Sequence, residues 1–585
     1  MPVQRFWLHA TYPLAILVVT ALLPSAPAAA AVLVSVQGVT GAPRENVLRS
    51  LTLHRDRTES LSERRIHQLH RQAPDEIRRA LEPYGFFRAE VEATLRHDGD
   101  TWQAHYIVNP GPSLPVATVD LRISGEGETD VEFHRLIEAF PFAPGDALDQ
   151  RAYEAAKSDF LKSATERGYF DFAFTEHALR VDLETYRATV VLHMNTGPRY
   201  RFGDVRFEQD KEILTETLLA RYARIAPGDP YSSLALIELQ RALLDSQFYS
   251  EAEVDADPKQ AVDREVPVTI RLTARNPSRY TFGIGYGTDS GVRGQIGWER
   301  RYLNTQGHSI RAETRLSEIE KTLSSSYIIP IRDPRTDQLA FTAAYSQGDT
   351  RVAETELRRL ATSRSIARGA WREILSLNLQ NEKFEIGGDT GESRLLMPDA
   401  QWSRSWGESR VYTREGARLL FGLRGAADAL GSDTDFVQSR VGAKWIEDLG
   451  ERGRVILRAD VGATRVDDFN GLPPSVRFFA GGDRSVRGYA FNTLGPANAR
   501  GEVVGGRHLL VGSIEYEHVV YGDWAAAVFY DAGNALDDFS DPLKKGAGIG
   551  VRWKSPIGQV RVDVATALSL ADTPWRLHLN VGPDL

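Results

Sequence analysis

From Ser278 to Leu585 the chain keeps a two-residue rhythm, with apolar residues at every second position and polar or charged neighbours between them. A period of two puts successive side chains on opposite faces of a strand, so this half reads as sheet with two chemically different faces. The closing stretch has the sharpest contrast: Trp575, Leu577, Leu579 and Val581 fall on one face, and Arg576, His578 and Asn580 on the other. That is the pattern of a strand between lipid and a polar lumen. The chain has 42% hydrophobic residues and a mean hydropathy of -0.32. No apolar run beyond the N-terminus is long enough for a membrane helix, and a closed barrel needs none, because its ladder pairs the backbone groups within lipid.

Sixteen candidate strands can be counted after Ser278, an even number that returns the C-terminus to the side on which the chain entered. The clear ones cover 280–288, 295–302, 310–316, 455–462, 509–518, 525–531, 548–554 and 560–567; boundaries between Arg332 and Gly450 stay open. Parity agrees along neighbouring strands. Ile549, Val551 and Trp553 oppose Arg552 and Lys554, and Val560, Val562 and Val564 oppose Arg561 and Asp563. The charged faces are expected to line the lumen. A soluble β-sandwich would bury the apolar face equally well, but it leaves the charged interior and the export signal unexplained.

Residues 1–30 have the form of a secretory signal peptide: basic Arg5, an apolar stretch from Leu14 to Leu23, then Ala28-Ala29-Ala30, with cleavage expected before Ala31. An uncleaved anchor helix is disfavoured by the shortness of the apolar stretch and by Pro24 and Pro27 behind it. The chain has no cysteine, which excludes a disulfide scaffold, a cysteine nucleophile and thiolate metal sites. A net charge of -9 argues against a nucleic-acid partner.

Between these parts the sequence repeats. An aromatic pair opens an alternating strand at Gly85-Phe86-Phe87, Gly168-Tyr169-Phe170 and Gln247-Phe248-Tyr249, and a second strand ends each copy before Pro112, Pro198 and Pro277, at intervals of 86 and 79 residues. Three copies of one module follow, over 31–113, 114–198 and 199–276, ahead of the 277–585 barrel. Ala143-Pro-Gly-Asp146 and Ala226-Pro-Gly-Asp229 each turn the chain into a helical stretch. Each copy reads strand, two helices, hairpin, an α+β unit in which Phe170 and Phe248 are expected to fill the interior. An exposed sheet edge on such a module can accept an extended chain as an added strand.

The most specific motif is Arg477-Phe-Phe-Ala-Gly-Gly-Asp-Arg-Ser-Val-Arg-Gly-Tyr489, within a stretch of about 465–506 that is far longer than a hairpin loop. Enzymatic signatures are missing: no Gly-x-Ser-x-Gly elbow, His-Glu-x-x-His or phosphate loop occurs. Thr288-Asp-Ser-Gly291 echoes a protease serine but falls at an expected hairpin tip. Asp537, Asp538 and Asp541 lack the spacing of a calcium loop. No enzyme activity, metal or cofactor is expected.

Together the modules and Val486-Arg487-Gly488-Tyr489 resemble the family of polypeptide-transport-associated (POTRA) modules joined to an outer-membrane assembly barrel, as in BamA and TamA. The resemblance covers everything after the signal peptide. It implies that the long loop folds back into the lumen, where Arg487 meets the Asp of a Phe-x-Asp strand, here Phe529-Tyr530-Asp531. Phe529 and Asp531 share parity, so Asp531 is expected to point inward, and a planar guanidinium suits two-point binding of a carboxylate. Gly548 to Gly558, with its Ser-Pro-Ile-Gly turn, also resembles the family, although the following strand ends in Thr566-Ala567-Leu568 instead of the usual Pro-Leu.

The tail and the module count resemble the TamA branch. Two-partner secretion transporters share the Val-Arg-Gly-Tyr motif but usually carry two modules. Implied are an outer-membrane location with periplasmic modules, an inner-membrane-anchored TamB-like partner, and autotransporter or other β-barrel clients; a two-partner secretion or passive channel is the alternative. The first strand puts Gly283, Gly285 and Gly287 on one face, and glycine-rich strands hold register weakly. The last strand carries Trp575, Leu577, Leu579, Gly582 and Pro583, and Pro583 cannot donate to a ladder. The seam between these strands is expected to be the weakest line in the wall and to open sideways for a client; the glycines could equally make room for the inserted loop.

Overall fold

The computed structural model describes residues 31–57, 61–99, 101–407, 412–555 and 558–582. The expected signal peptide, Pro556-Ile557 of the Ser-Pro-Ile-Gly turn, and Pro583 lie outside these residues. The chain divides into two compact units, the first running to Arg201 and taking in 230–233, the second holding 202–229 and the chain from Leu234 onward.

Three small α/β modules come first. Module 1 is built from β1 (Ala31–Gln37), α1 (Gly41–Ser50), α2 (Thr52–Arg55), α3 (Glu63–Leu81), β2 (Glu90–Asp98) and β3 (Thr101–Asn109). Module 2 contains β4 (Val116–Ser124), α4 (Val131–Glu138), α5 (Gln150–Glu166), β5 (Ala173–Asp182) and β6 (Arg187–Asn195). Module 3 contains β7 (Arg201–Gln209), α6 (Glu216–Ala223), α7 (Ser233–Asp245), β8 (Tyr249–Asp255) and β9 (Glu265–Ala274). In each, the last strand takes the middle of a three-stranded sheet. It does so because that strand has the most apolar face. Trp102, Ala104, Tyr106 and Val108 alternate on β3 and pack with Ile66, Leu69, Ala73 and Ile77 of α3, whose spacing lines one side of a helix. The same design recurs with Val190, Leu192 and Met194 beside Tyr153 and Phe160.

The aromatic pairs divide their work. Tyr169, not Phe170, fills the module 2 core. Phe170 is half-buried and packs against Tyr200 and Tyr231, with ring centroids 5.2 and 4.9 Å away. Phe248 is buried, but its ring faces Gly307 in the barrel half. The expectation for Phe170 therefore fails for a simple reason: the residue after the buried aromatic points the other way. Modules 1 and 2 meet through backbone: Leu114 N–H donates to the Gly85 carbonyl at 2.8 Å, and Leu148 N–H to the Leu114 carbonyl at 2.9 Å. At Gly85, φ is +81°, and a Cβ would stand 2.5 Å from the Leu148 oxygen, so only glycine fits.

The barrel is one antiparallel sheet of sixteen strands in sequence order: β10 (Ser278–Gly287), β11 (Gly291–Arg300), β12 (Ser309–Leu316), β13 (Glu320–Pro330), β14 (Asp337–Asp349), β15 (Ala353–Arg368), β16 (Trp371–Ile386), β17 (Asp389–Gly407), β18 (Gly416–Ala426), β19 (Phe436–Leu449), β20 (Gly453–Val466), β21 (His508–Tyr521), β22 (Trp524–Leu536), β23 (Lys544–Ser555), β24 (Gly558–Ala567) and β25 (Trp575–Gly582). Parity holds around the wall. Val528 pairs with Ile549, Ile549 with Val564 and Val564 with Leu577, all on the outer face. Phe282, Ile284, Leu360, Val441, Ile514 and Ile549 are among the exposed apolar residues of that face. Such a continuous apolar exterior requires lipid around it. Tyr280, Trp406, Trp445, Trp524 and Trp553 are exposed toward the module-side ends of their strands, where an aromatic girdle belongs.

Module 3 is docked on the module-side turns that follow β11 and β13. Thr215 N–H donates to the Thr305 carbonyl at 2.9 Å. Arg221 Nε donates to the Arg332 carbonyl at 3.0 Å, Arg224 pairs with Asp333, and Arg301 donates to the Asn276 carbonyl at 2.7 Å.

Candidate functional site

The chain between β20 and β21 is a small folded body. Arg477 donates to the carbonyls of Leu472, Asn470 and Val504 at 2.6, 2.9 and 3.0 Å. Bridges join Phe478 to Gly506, Ala480 to Leu494 and Ala497 to Val503. From this support residues 486–489 are held inside the lumen, and each motif residue has its own task. Val486 is fully buried with Phe478, Leu509, Val511 and Ala567. Tyr489 donates its hydroxyl hydrogen to the Lys545 carbonyl at 3.2 Å and accepts from Ser569 N–H at 3.3 Å.

Arg487 is the centre of the arrangement. Its Nε and Nη2 donate to the two carboxylate oxygens of Asp531 at 2.7 and 2.9 Å, the two-point geometry of a planar fork. Nη1 reaches Glu515 at 2.7 Å and Asp563 at 3.2 Å. The guanidinium carbon lies 3.3 Å from the ring centroid of Phe529, which accounts for the Phe in Phe-x-Asp: it gives the cation a face to stack on. Behind this, Arg552 binds Glu515 at 2.7 Å, Asp563 at 2.5 Å and Glu517 at 3.1 Å, and Arg454 donates to Glu517 at 2.7 Å. Arg487, Asp531, Glu515, Asp563, Arg552, Arg454 and Glu517 are all buried. Buried charges persist only when paired, so the network ties the loop to β20 through β24 as one unit.

Two glycines let the loop approach. Gly488 has φ of +97°, and a Cβ there would lie 2.8 Å from the Thr566 carbonyl. Opposite it, a Cβ on Gly546 would stand 2.0 Å from the Arg487 carbonyl oxygen. Gly546, first of the alternating glycines of β23, thus serves loop contact.

The seam differs from every other strand pair. Adjacent strands from β10 to β25 are laddered, but among the described residues no ladder joins β10 to β25. What joins them is side-chain chemistry at the far end of β10. Leu579 N–H of β25 donates to the Thr288 hydroxyl at 3.2 Å, and that hydroxyl donates to Asp483 of the loop at 3.2 Å. Asp483 N–H donates to Asp289 at 2.7 Å. The His578 ring of β25 accepts from Gly488 N–H at Nε2 at 2.9 Å, so its hydrogen sits on Nδ1, which bonds to Asp483. Asp289, Asp483 and His578 bring possible ligand atoms within 4.8 Å of one another. Both His578 nitrogens are already committed, so the group works as a hydrogen-bonded clasp.

Of the seam residues named from sequence, Trp575, Leu577 and Leu579 pair on the outer face with Thr566, Val564 and Val562, and Gly582 pairs with Gln559. Gly283, Gly285 and Gly287 line a cavity of about 730 Å³ with Phe479, Gly481 and Asn580. A Cβ on Gly283 would meet only Gln295 at 3.6 Å, and one on Gly285 only Arg293 at 4.0 Å. No loop atom is that near, so at these two positions glycine is not needed to admit the loop.

Comparison with known proteins identifies the architecture. Residues 302–583 match the Omp85 superfamily domain, residues 33–110 the POTRA domain called TamA domain 1, and residues 200–275 the surface antigen variable number repeat. The matched Omp85 superfamily domain thus lies behind the matched POTRA-type segments. A curated relative, the outer membrane protein assembly factor BamA of Nitratidesulfovibrio vulgaris, is 24% identical over 374 residues, covering 59% of this chain and 46% of the relative. BamA of Neisseria meningitidis is 22% identical over 518 residues, covering 76% of this chain and 64% of the relative. The chain thus spans about half to two-thirds of the length of these relatives. Its fold is shared with crystalline BamA from Haemophilus ducreyi lacking POTRA domains 1-3, at a TM-score of 0.65 and 17% identity over 80% of this chain and 99% of that one.

Arg487 and Asp531, which the family resemblance paired, are brought together here, while most of what surrounds them was not anticipated. Glu515, Glu517 and Asp563 carry a legible signal, since a charge on the inward parity of a lipid-facing strand needs a partner. For Asp483 and His578 there is none: His578 looks like any lumen residue until the loop is brought beside it.

Proposed function

We propose that this chain assembles other β-barrel chains, autotransporters among them, into an outer membrane, with the POTRA modules in the periplasm. The observation that carries this reading is the seam. Among the described residues, fifteen neighbouring pairs are laddered and the closing one is not, which leaves β10 with an edge free to pair. An unpaired edge is a template for another strand, and in lipid its N–H and C=O groups are costly until paired. A client strand adding to β10 satisfies them, reads backbone more than side chain, and leaves the client beside the wall, free to depart into lipid. The glycine face of β10 supports this, since it offers little side-chain grip to fix register. The three modules offer further sheet edges for incoming chains and for an inner-membrane-anchored partner of the TamB kind.

A disulfide engineered between β10 and β25 tests the reading in proteoliposomes supplied with an unfolded barrel client. Insertion is expected to stop when the seam is locked and to return on reduction; undiminished insertion through a locked seam overturns it. A passive channel is opposed by the loop tip, which occupies the lumen where a pore would run, and small, erratic single-channel conductance is expected.

A further inference from the structure

We propose that Asp483 is the fastener of the seam: the inserted loop, in place of a backbone ladder, holds the first and last strands together at the end of β10 remote from the modules. This rests on the lateral-opening reading above and adds to it what keeps the gate shut.

Three observations converge on Asp483. It accepts from Thr288, just beyond β10, and bonds to His578 of β25, so one carboxylate touches both sides of the seam. Its own N–H is taken by Asp289 at 2.7 Å. Its backbone is preceded by Gly481 and Gly482, with φ of +98° and +101°, and a Cβ on Gly482 would lie 2.5 Å from Asp289 Oδ2, so the chain is shaped to bring Asp483 this close. The direct hydrogen bond across the seam, Leu579 N–H to the Thr288 hydroxyl, uses the same hydroxyl that Asp483 orients, and Arg576 of β25 adds a longer pairing with Asp289 at 4.0 Å.

The clasp and the latch are continuous. Asp483 is four residues from Arg487, and Gly488, next to Arg487, donates to the far side of the same His578 ring at 2.9 Å. When Arg487 is seated among Asp531, Glu515 and Asp563, Asp483 and Gly488 grip His578 from two sides. Withdrawal of the loop removes both grips together. The gate is therefore conditional on the loop, and a client or partner that displaces the loop tip opens the seam without touching either strand.

The native chain has no cysteine, so paired spin labels can be placed cleanly on the full-length protein in liposomes. Labels at Ile284→Cys and Leu577→Cys report the seam, and a second pair at Asn492→Cys and Val441→Cys reports loop seating. Thr288→Val removes the cross-seam hydroxyl and leaves Arg487 untouched, while Asp483→Ala removes the fastener itself. Each variant loses two hydrogen bonds, one of them to the Asp483 carboxylate in Thr288→Val and both in Asp483→Ala, and the open-seam population is expected to rise roughly tenfold or more, with the loop distance unchanged in Thr288→Val. An unaltered seam distribution in both variants overturns the proposal. A widened seam with unchanged client insertion upholds the fastener and sinks the lateral-opening reading instead.

Discussion

Arg487 is the residue on which loop seating turns. It satisfies three carboxylates and stacks on Phe529 while almost wholly shielded from solvent, so truncation strands Asp531 and its neighbours without a counter-charge. Arg487→Ala is expected to weaken the seated state by about 3–5 kcal/mol, read as a longer, broader distance between a spin label on the loop and the wall. Arg487→Lys keeps the charge but not the fork, and should lie between. Gly546→Ala tests the contact from the other side. It leaves every charge in place but puts a methyl group on the Arg487 carbonyl, so protease cleavage within 467–507 is expected to speed up at least several-fold.

At the scale of the element, β10 is poor in side-chain contact where a closing strand should be rich. Because Gly283 and Gly285 have room for a Cβ, Gly283→Val with Gly285→Val should fold, gain about 1 kcal/mol of strand preference, and slow client insertion. A rise in thermal midpoint without slower insertion would separate strand stability from gating. In module 2, Asp130 caps α4 by accepting from Glu132 N–H at 3.0 Å and pairs with Arg167 at 2.8 Å. Burial alone would raise the Asp130 carboxyl, but the Glu132 N–H, Arg167 and the Tyr169 hydroxyl hold it below the usual range. A depressed carboxyl contributes stability that is present above its unfolded value and lost as pH falls through its folded one. Amide exchange across α4 should therefore accelerate in acid below that usual range, and Asp130→Asn, which keeps the cap but loses the charged pairing with Arg167, should cost about 1 kcal/mol at neutral pH and remove most of this dependence.

At the scale of the molecule, module 3 and the turns after β11 and β13 make one body. The hydrogen bonds from Thr215, Arg221 and Arg301 and the Arg224–Asp333 pair all fall near the first strands, so force applied to module 3 is delivered close to the seam. Arg221→Ala combined with Arg224→Ala is expected to raise amide exchange in the 302–308 and 331–336 turns while leaving β20 through β24 unchanged. Much of this architecture could be read in advance. A period of two exposes both faces of a strand to inspection, so the inward placement of Asp531, Arg552 and Asp563 and the outward placement of Leu577 follow from parity alone, and repeated aromatic pairs and prolines betray three modules. Parity tells which face a residue takes and nothing about which distant residue meets it there. The sequence by itself determined the strands and their faces, and the family resemblance added the Arg487–Asp531 pair. Only the tertiary structure decided that, among the described residues, the closing pair of strands goes unladdered and that Asp483 bridges Thr288 and His578, because those contacts span 195 and 95 residues and exist only once the loop is folded into the lumen.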